Sequence, residues 1–151
     1  MRLEYNFREL KSSDFSFYKA LHDEVLRDYV EAIWGWDDGV QAKMVGDEFE
    51  ASRAKVIQAE GVDIGFVQID DNKDHLFISQ LWIKPSHQNQ GIGTDIVQNV
   101  MRDAKAMGKH VRLYVLKTNR AQRLYDRLGF IQYGEDEGDY YMKHEMQNVA
   151  E

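Results

Sequence analysis

Two glycines, Gly91 and Gly93, stand two residues apart where the polar run Gln88-Asn89-Gln90 gives way to a long amphipathic segment. The first turn of a helix has N–H groups without intrahelical partners and about half a positive charge, so a helix starting here can hold a phosphate. Glycine lets the backbone approach such a ligand with no Cβ in the way. By itself the pair supports either anion binding or a tight loop. A P-loop is excluded, because no G-K-[ST] follows and no lysine serves the outer phosphates. A dinucleotide fingerprint fails as well. Ile96 stands where glycine or alanine is wanted, and the next apolar strand ends in Leu116-Lys117-Thr118 rather than in an acidic residue.

Other residues of chemical interest are scattered. Trp34 and Trp36 flank Gly35, and with Tyr29 their aromatic faces could hold a cationic amine or could equally pack a helix pair. Tyr140 and Tyr141 are a weaker pair of the same kind. Glu31, Asp37, Asp38 and His75 are possible bases, each also readable as a solvated surface group, and His87 reads as a loop residue. Five histidines with no H-E-x-x-H spacing and no cysteine give no metal site, no disulfide and no thiolate nucleophile.

The elements that must position these residues follow from periodicity. Leu3, Tyr5 and Phe7 alternate with polar residues as in a half-buried strand. Ser12, Ser13 and Asp14 offer helix caps, and apolar residues from Phe15 to Ile33 keep helical spacing. A weaker helix is expected over Gln41 to Phe49, a strand over Ala51 to Ala59, a turn at Gly61-Val62-Asp63, and strands over Ile64 to Ile69 and His75 to Ile83. The helix after Gly91 buries Ile92, Ile96, Val97, Val100, Met101, Ala104 and Met107 and stops at Gly108. Val111 to Leu116 then forms a strand. A strand, loop, helix and strand in this order make a βαβ unit and hence one parallel pair in an otherwise antiparallel sheet. A short helix over Asn119 to Leu128 and strands over Phe130 to Gly134 and Tyr140 to Met146 complete an α/β domain.

A chain of 151 residues fits one domain, spanning 1–151, with a core that buries roughly 70% of the unfolded surface. The formal net charge of -7 argues against nucleic-acid binding and leans weakly toward a cationic acceptor. The charged N-terminus and the lack of a long apolar run lead to the expectation of a cytoplasmic protein with no membrane contact.

The segment Gln88-x-x-Gly91-x-Gly93 resembles the acyl-CoA signature of the GNAT acetyltransferase superfamily, with Leu81-x-Ile83-x-Pro85 before it as in the family. A second stretch, Asn119-Arg120-Ala121-Gln122-Arg123-Leu124-Tyr125-Asp126-Arg127-Leu128-Gly129-Phe130, is similar to the family's N-x-x-A-x-x-L-Y-x-x-x-G-F element. The resemblance implies a mixed, mostly antiparallel sheet of six to seven strands flanked by about four helices. It implies acetyl-CoA as cosubstrate, without metal, and transfer of acetyl to a primary amine of a small molecule or peptide by direct attack. It further implies that Leu81 and Ile83 bracket the acetyl end, with the Ile83 amide as oxyanion donor. The amides of Gln88, Asn89, Gln90, Gly91, Ile92, Gly93 and Thr94 would take the pyrophosphate, Asn119 would contact the cofactor arm or serve as a helix N-cap, and Tyr125 would donate to the departing sulfur. In the helix carrying Tyr125, Leu124 and Leu128 should face the core. Tyr29, Trp34 and Trp36 would wall the acceptor side. The position some relatives use for a glutamate base falls near Phe77, so no base transfers. The alternative function is a non-catalytic acyl-CoA binding or sensing domain, and monomer and homodimer are both open.

Overall fold

The computed structural model describes residues 4–145, so Leu3 and Met146, expected in the first and last strands, lie outside the described residues. Seven strands and four α-helices follow one another as β1 (Tyr5–Glu9), α1 (Phe15–Trp34), α2 (Asp38–Ala51), β2 (Lys55–Ala59), β3 (Val62–Asp71), β4 (His75–Ile83), α3 (Ile92–Met107), β5 (His110–Leu116), α4 (Gln122–Arg127), β6 (Ile131–Glu135) and β7 (Asp139–His144). The sheet order is β1-β2-β3-β4-β5-β7-β6. β1 with β2, β2 with β3, β5 with β7 and β6 with β7 are antiparallel, and β4 with β5 is parallel. The mixed, mostly antiparallel sheet expected from the βαβ pattern is therefore present.

Several boundaries differ from the periodicity reading. Ser12–Asp14 form a 3-10 turn, and Asp14 caps no α-helix; its carboxylate accepts from the Lys11 amide at 2.7 Å and from Arg8. α2 begins three residues early because the Asp37 carboxylate accepts from the Val40 amide at 2.9 Å, an N-cap placed ahead of the expected start. It runs on to Ala51, so β2 starts only at Lys55. The turn before β3 is confined to Glu60 and Gly61, both at positive φ, and Val62 and Asp63 already belong to the strand. α3 follows its apolar stripe closely, with Ile92, Ile96, Val97, Val100 and Ala104 buried; Met107 is 48% exposed because the helix has reached its end there. That end is a Schellman turn. Gly108 takes φ +70°, its amide donates to Lys105 O at 3.1 Å, and the Lys109 amide donates to Ala104 O at 2.8 Å.

The chain forms two compact units. Unit 1 comprises residues up to Gln68 together with Gln80–Gly93; unit 2 comprises Ile69–Ser79 and the chain from Thr94 onward. The core of unit 1 joins Tyr18, Leu21, Val45, Ala54, Val56 and Phe66, with Phe17, Phe49 and Trp82 packed against them. The Tyr18 ring lies 4.9 Å from Phe66, 5.0 Å from Trp82 and 5.1 Å from Phe49. Each such buried side chain contributes about 1.5–3 kcal/mol of apolar burial. An ion cluster fastens β1 to this core. Arg8 donates to Asp14 at 2.8 and 3.0 Å and to Asp63 at 2.8 and 3.3 Å. In unit 2, Val111, Leu113 and Val115 of β5 and Met142 of β7 are buried together with the inner stripe of α3. The parallel register there runs from His75↔His110 to Ile78↔Leu113.

Candidate active site

The end of β4, the loop after it and the first two residues of α3, Ile92 and Gly93, lie in unit 1. Gly65 of β3 sets the path of the strand end. A Cβ at residue 65 would collide with the Trp82 carbonyl oxygen, so only glycine admits the approach. The Lys84 amide donates to Ile64 O at 2.7 Å just beyond. Backbone groups alternate sides along a strand, so the Ile83 N–H and C=O face away from β3. The Gln88 side-chain amide donates to that Ile83 carbonyl at 2.8 Å. Gln88 therefore folds back on the strand, and its own backbone N–H donates to Pro85 O at 3.3 Å within a 3-10 turn, Pro85–His87.

Beyond Gln88 the loop is exposed and backbone-led. Asn89 has φ +61° and Gly91 φ +87°, and the Gln90 side chain donates to Ser86 O at 3.2 Å. Ile92 is the hydrophobic anchor of this turn, 2% exposed. The amides of Ile92, Gly93 and Thr94 precede any carbonyl of α3 that could accept from them. Gly91 is required by its backbone angle. Gly93 is not: a Cβ there would meet only the end of the Ile83 side chain at 3.4 Å, an ordinary contact, and its φ is not positive. His87 pairs its Nδ1 with Ser86 Oγ at 2.8 Å and remains a loop residue.

Asn119, α4 and Tyr125 lie in unit 2. The Asn119 side-chain oxygen accepts from the Ala121 amide at 2.9 Å, which opens the turn leading into α4, while its Nδ2 has no partner among the described residues. α4 has only six residues, shorter than the expected Asn119–Leu128, and Tyr125 rather than Leu124 or Leu128 is its buried member. One and a half turns cannot carry two apolar stripes, so the large ring takes the interior, 5.7 Å from Phe130. The Tyr125 hydroxyl makes no hydrogen bond among the described residues, and burial pushes its phenol up to about 12.

The aromatic residues expected on the acceptor side fall at the end of α1 and in the connection to α2, again in unit 1. Trp34 ends α1 and is 50% exposed. Trp36 donates to Asp38 at 2.9 Å, and its ring already carries the Arg27 guanidinium at 5.2 Å, so this face is taken by the protein's own cation. Tyr29 is half-buried on α1. The four possible bases have structural partners: Glu31 pairs with Arg27, Asp37 caps α2, Asp38 accepts from Trp36, and His75 pairs with Asp74 at 2.7 Å. Tyr141 donates to Asp136 at 2.7 Å, and Tyr140 lies under Lys117.

Sequence reasoning missed His22. It is buried in α1, its ring lies 5.4 Å from Trp82 and 6.0 Å from Trp36, and its Nδ1 is 3.0 Å from Asp23 Oδ1. The carboxylate only accepts, so the Nδ1 N–H donates to it. A histidine one residue from Leu21 on an apolar stripe reads as packing. Only its contact with β4, eighty-two positions into the chain at Trp82, sets it apart.

With this geometry, the family comparison is decisive. The model of the acetyltransferase (GNAT) family matches residues 7–130. The chain belongs to the GNAT acetyltransferase family. Comparison with curated protein sequences finds no match. Among solved structures, this GNAT chain is similar to the PaiA N-acetyltransferase of Thermoplasma acidophilum in complex with coenzyme A, with TM-score 0.75 and 17% identity over 95% of this chain and 99% of that one. It is similar also to Arabidopsis thaliana Naa50 in complex with the bisubstrate analogue CoA-Ac-MVNAL, with TM-score 0.63 and 15% identity over 93% and 97%. The ribosomal-protein-S18-alanine N-acetyltransferase of Escherichia coli is a third, with TM-score 0.60 and 18% identity over 98% and 97%. At these identities the structures speak for the fold. No helix among the described residues is long and apolar enough to cross a membrane.

Proposed function

We propose that the chain is a single-domain N-acetyltransferase that moves acetyl from acetyl-CoA to a primary amine by direct attack. The observation that carries this reading is Tyr125, a buried side chain whose hydroxyl makes no hydrogen bond among the described residues, on the helix that the second family motif specifies. Phosphate oxygens would be held by the amides of Asn89 to Thr94, where the first turn of α3 adds its partial positive charge. Gln88 contributes by tethering the Ile83 carbonyl and with it the strand end, and the Ile83 amide serves as oxyanion donor to the thioester oxygen. Leu81 and Ile83 flank the acetyl group, and the free Nδ2 of Asn119 is available to the pantetheine arm.

In the transfer, the amine nitrogen bonds to the thioester carbon and the C–S bond breaks. The family motif assigns Tyr125 to the sulfur that leaves. A phenol near 12 opposite a thiol near 8.5 makes complete proton transfer uphill by about 5 kcal/mol, so Tyr125 acts as a hydrogen-bond donor to the developing thiolate and solvent completes the protonation. The amine must lose a proton before or during attack. Tyrosines apart, the buried ionisable side chains among the described residues are Asp14 and His22, and Asp14 is committed to Arg8. We therefore assign the amine proton to His22 Nε2 through a water, since the side chain is only 6% exposed. Trp34, half exposed at the end of α1, offers an aromatic surface to the acceptor, and the acidic balance of the chain favours a cationic one.

The test is acetyl-CoA turnover against a panel of amines and peptides, followed as release of free thiol. The chain has no cysteine, so the CoA thiol is the only one in the assay. Turnover that depends on Tyr125 supports the reading. Tight CoA binding without thiol release against any acceptor would identify a binding or sensing domain instead.

A further inference from the structure

Within unit 2, the second half of α3, the start of β5 and the end of β7 surround a cavity of about 370 Å³. Met101 and Val111 give it an apolar side, and Gln98 a neutral polar group. Arg102, Lys105, Lys109 and His144 supply the rest, and no carboxylate lines it, although the chain as a whole is acidic by seven charges. These cations are only partly answered. Lys109 pairs with Asp71, Arg102 donates to the neutral side-chain oxygen of Asn99, and Lys105 has no side-chain partner among the described residues. Neither ring nitrogen of His144 has a hydrogen-bond partner among the described residues, and its ring rests 5.6 Å from Phe130.

Basic residues at the end of a helix ordinarily complement its exposed carbonyls. Here the backbone already does so, because the Gly108 and Lys109 amides satisfy the Lys105 and Ala104 carbonyls. The cations are thus left to face the cavity. Its volume is at the low end of ligand pockets, about 300–1,000 Å³, which suits a metabolite rather than a nucleotide coenzyme. At 1.5 Å per residue, Lys105 lies about 16 Å along α3 from Thr94, well away from the first-turn amides.

We propose that this cavity binds a small polyanionic metabolite, a phosphomonoester or a di- or tricarboxylate, whose clustered oxygens meet Arg102, Lys105 and Lys109 while its carbon skeleton lies on Met101 and Val111. Burial holds His144 below the usual histidine value, so a bound anion would raise it and move its imidazole resonances.

The experiment titrates the full chain with glycerol 3-phosphate and, separately, with citrate, with and without saturating CoA, and follows binding calorimetrically and through the His144 imidazole signals. The expected result is saturable binding of one of the two at about 1 mM or tighter, unaffected by CoA, with the His144 signals shifting. The arm that binds identifies the chemical class. Lys105→Glu should weaken binding at least tenfold, whereas Lys43→Glu, which alters the net charge equally at an exposed site on α2, should leave it unchanged. No binding of either anion overturns the proposal. So does an equal loss in both variants, which would mark general charge attraction, and so does displacement by CoA, which would place the anion on the loop. The Lys105→Glu comparison reads the same way if CoA does not bind, so this site and the transferase reading fail separately.

Discussion

At the scale of single residues, Tyr125 and Gly93 separate function from folding. Tyr125→Phe removes an unpartnered hydroxyl and leaves the ring against Phe130, so the fold should keep its melting temperature and its CoA affinity. Loss of a donor to the developing thiolate should lower kcat by about a hundredfold, and steady-state kinetics with the best acceptor would measure it. Gly93→Ala asks the fold for nothing it lacks and improves helix propensity by up to about 1 kcal/mol. It narrows the approach to the first-turn amides all the same. A calorimetric titration with CoA should then show at least tenfold weaker binding by a protein that melts no lower than the parent. His22→Gln keeps a polar side chain under Trp82 but cannot accept the amine proton. It is expected to lower kcat/KM with little change in melting temperature; a lower melting temperature with kcat/KM intact would leave His22 as packing. Tyr125 and the glycines were legible because a linear motif carries them. His22 and Gly65 were not, since each draws its meaning from a residue on β4 far along the chain.

Elements were read well where one periodicity dominated. The stripe of α3 and the glycine ending it gave both helix boundaries, because Gly108 has the only backbone angle that completes the Schellman turn. α2 was blurred, since Val45 is its one fully buried residue and a stripe needs more than one member. Its true start depends on the Asp37 cap, and Asp37→Ala should destabilise the protein by about 1 kcal/mol in chemical denaturation, without a change in denaturant slope. β3 depends on a subtler demand. Gly65→Ala adds a methyl where the Trp82 carbonyl already stands, so β4 must shift or β3 must bend, at a cost of about 1–3 kcal/mol. Unlike Gly93→Ala, that variant should lose stability and CoA affinity together. The start of β2 and the length of α4 escaped sequence reading, because Ala51–Ala54 and Leu128–Gly129 suit helix, turn or strand equally until a tertiary neighbour chooses.

For the molecule as a whole, the GNAT fold, the mixed sheet and the order of its elements were evident from pattern, whereas the ion cluster of Arg8, Asp14 and Asp63 was not. Its three members are joined across β1, the following turn and β3, a link no local spacing encodes. Arg8 holds both carboxyls below the usual carboxylate range. A carboxyl with a lower value folded than unfolded stabilises the protein above its unfolded value, near 4, and that contribution vanishes as pH falls through the folded value. Stability should therefore drop steeply below about pH 4. Asp14→Asn, which leaves a guanidinium partly unpaired beside a buried amide, should cost about 2 kcal/mol at pH 7 and give a shallower acid dependence in denaturant melts from pH 7 to 3.

The hydrogen bond from the Gln88 side chain to the Ile83 carbonyl bears on how quickly a ligand can be captured. It shortens the span of the loop to Asn89, Gln90 and Gly91, between a tethered strand end and the buried Ile92, and the Gln90 side chain is itself held to Ser86 O. Little conformational entropy then remains to be lost when a diphosphate arrives, so association should be governed by diffusion and not by the pace of loop closure. Cutting the tether with Gln88→Ala should show up first as a slower on-rate for CoA in stopped-flow binding, with the dissociation rate much less affected.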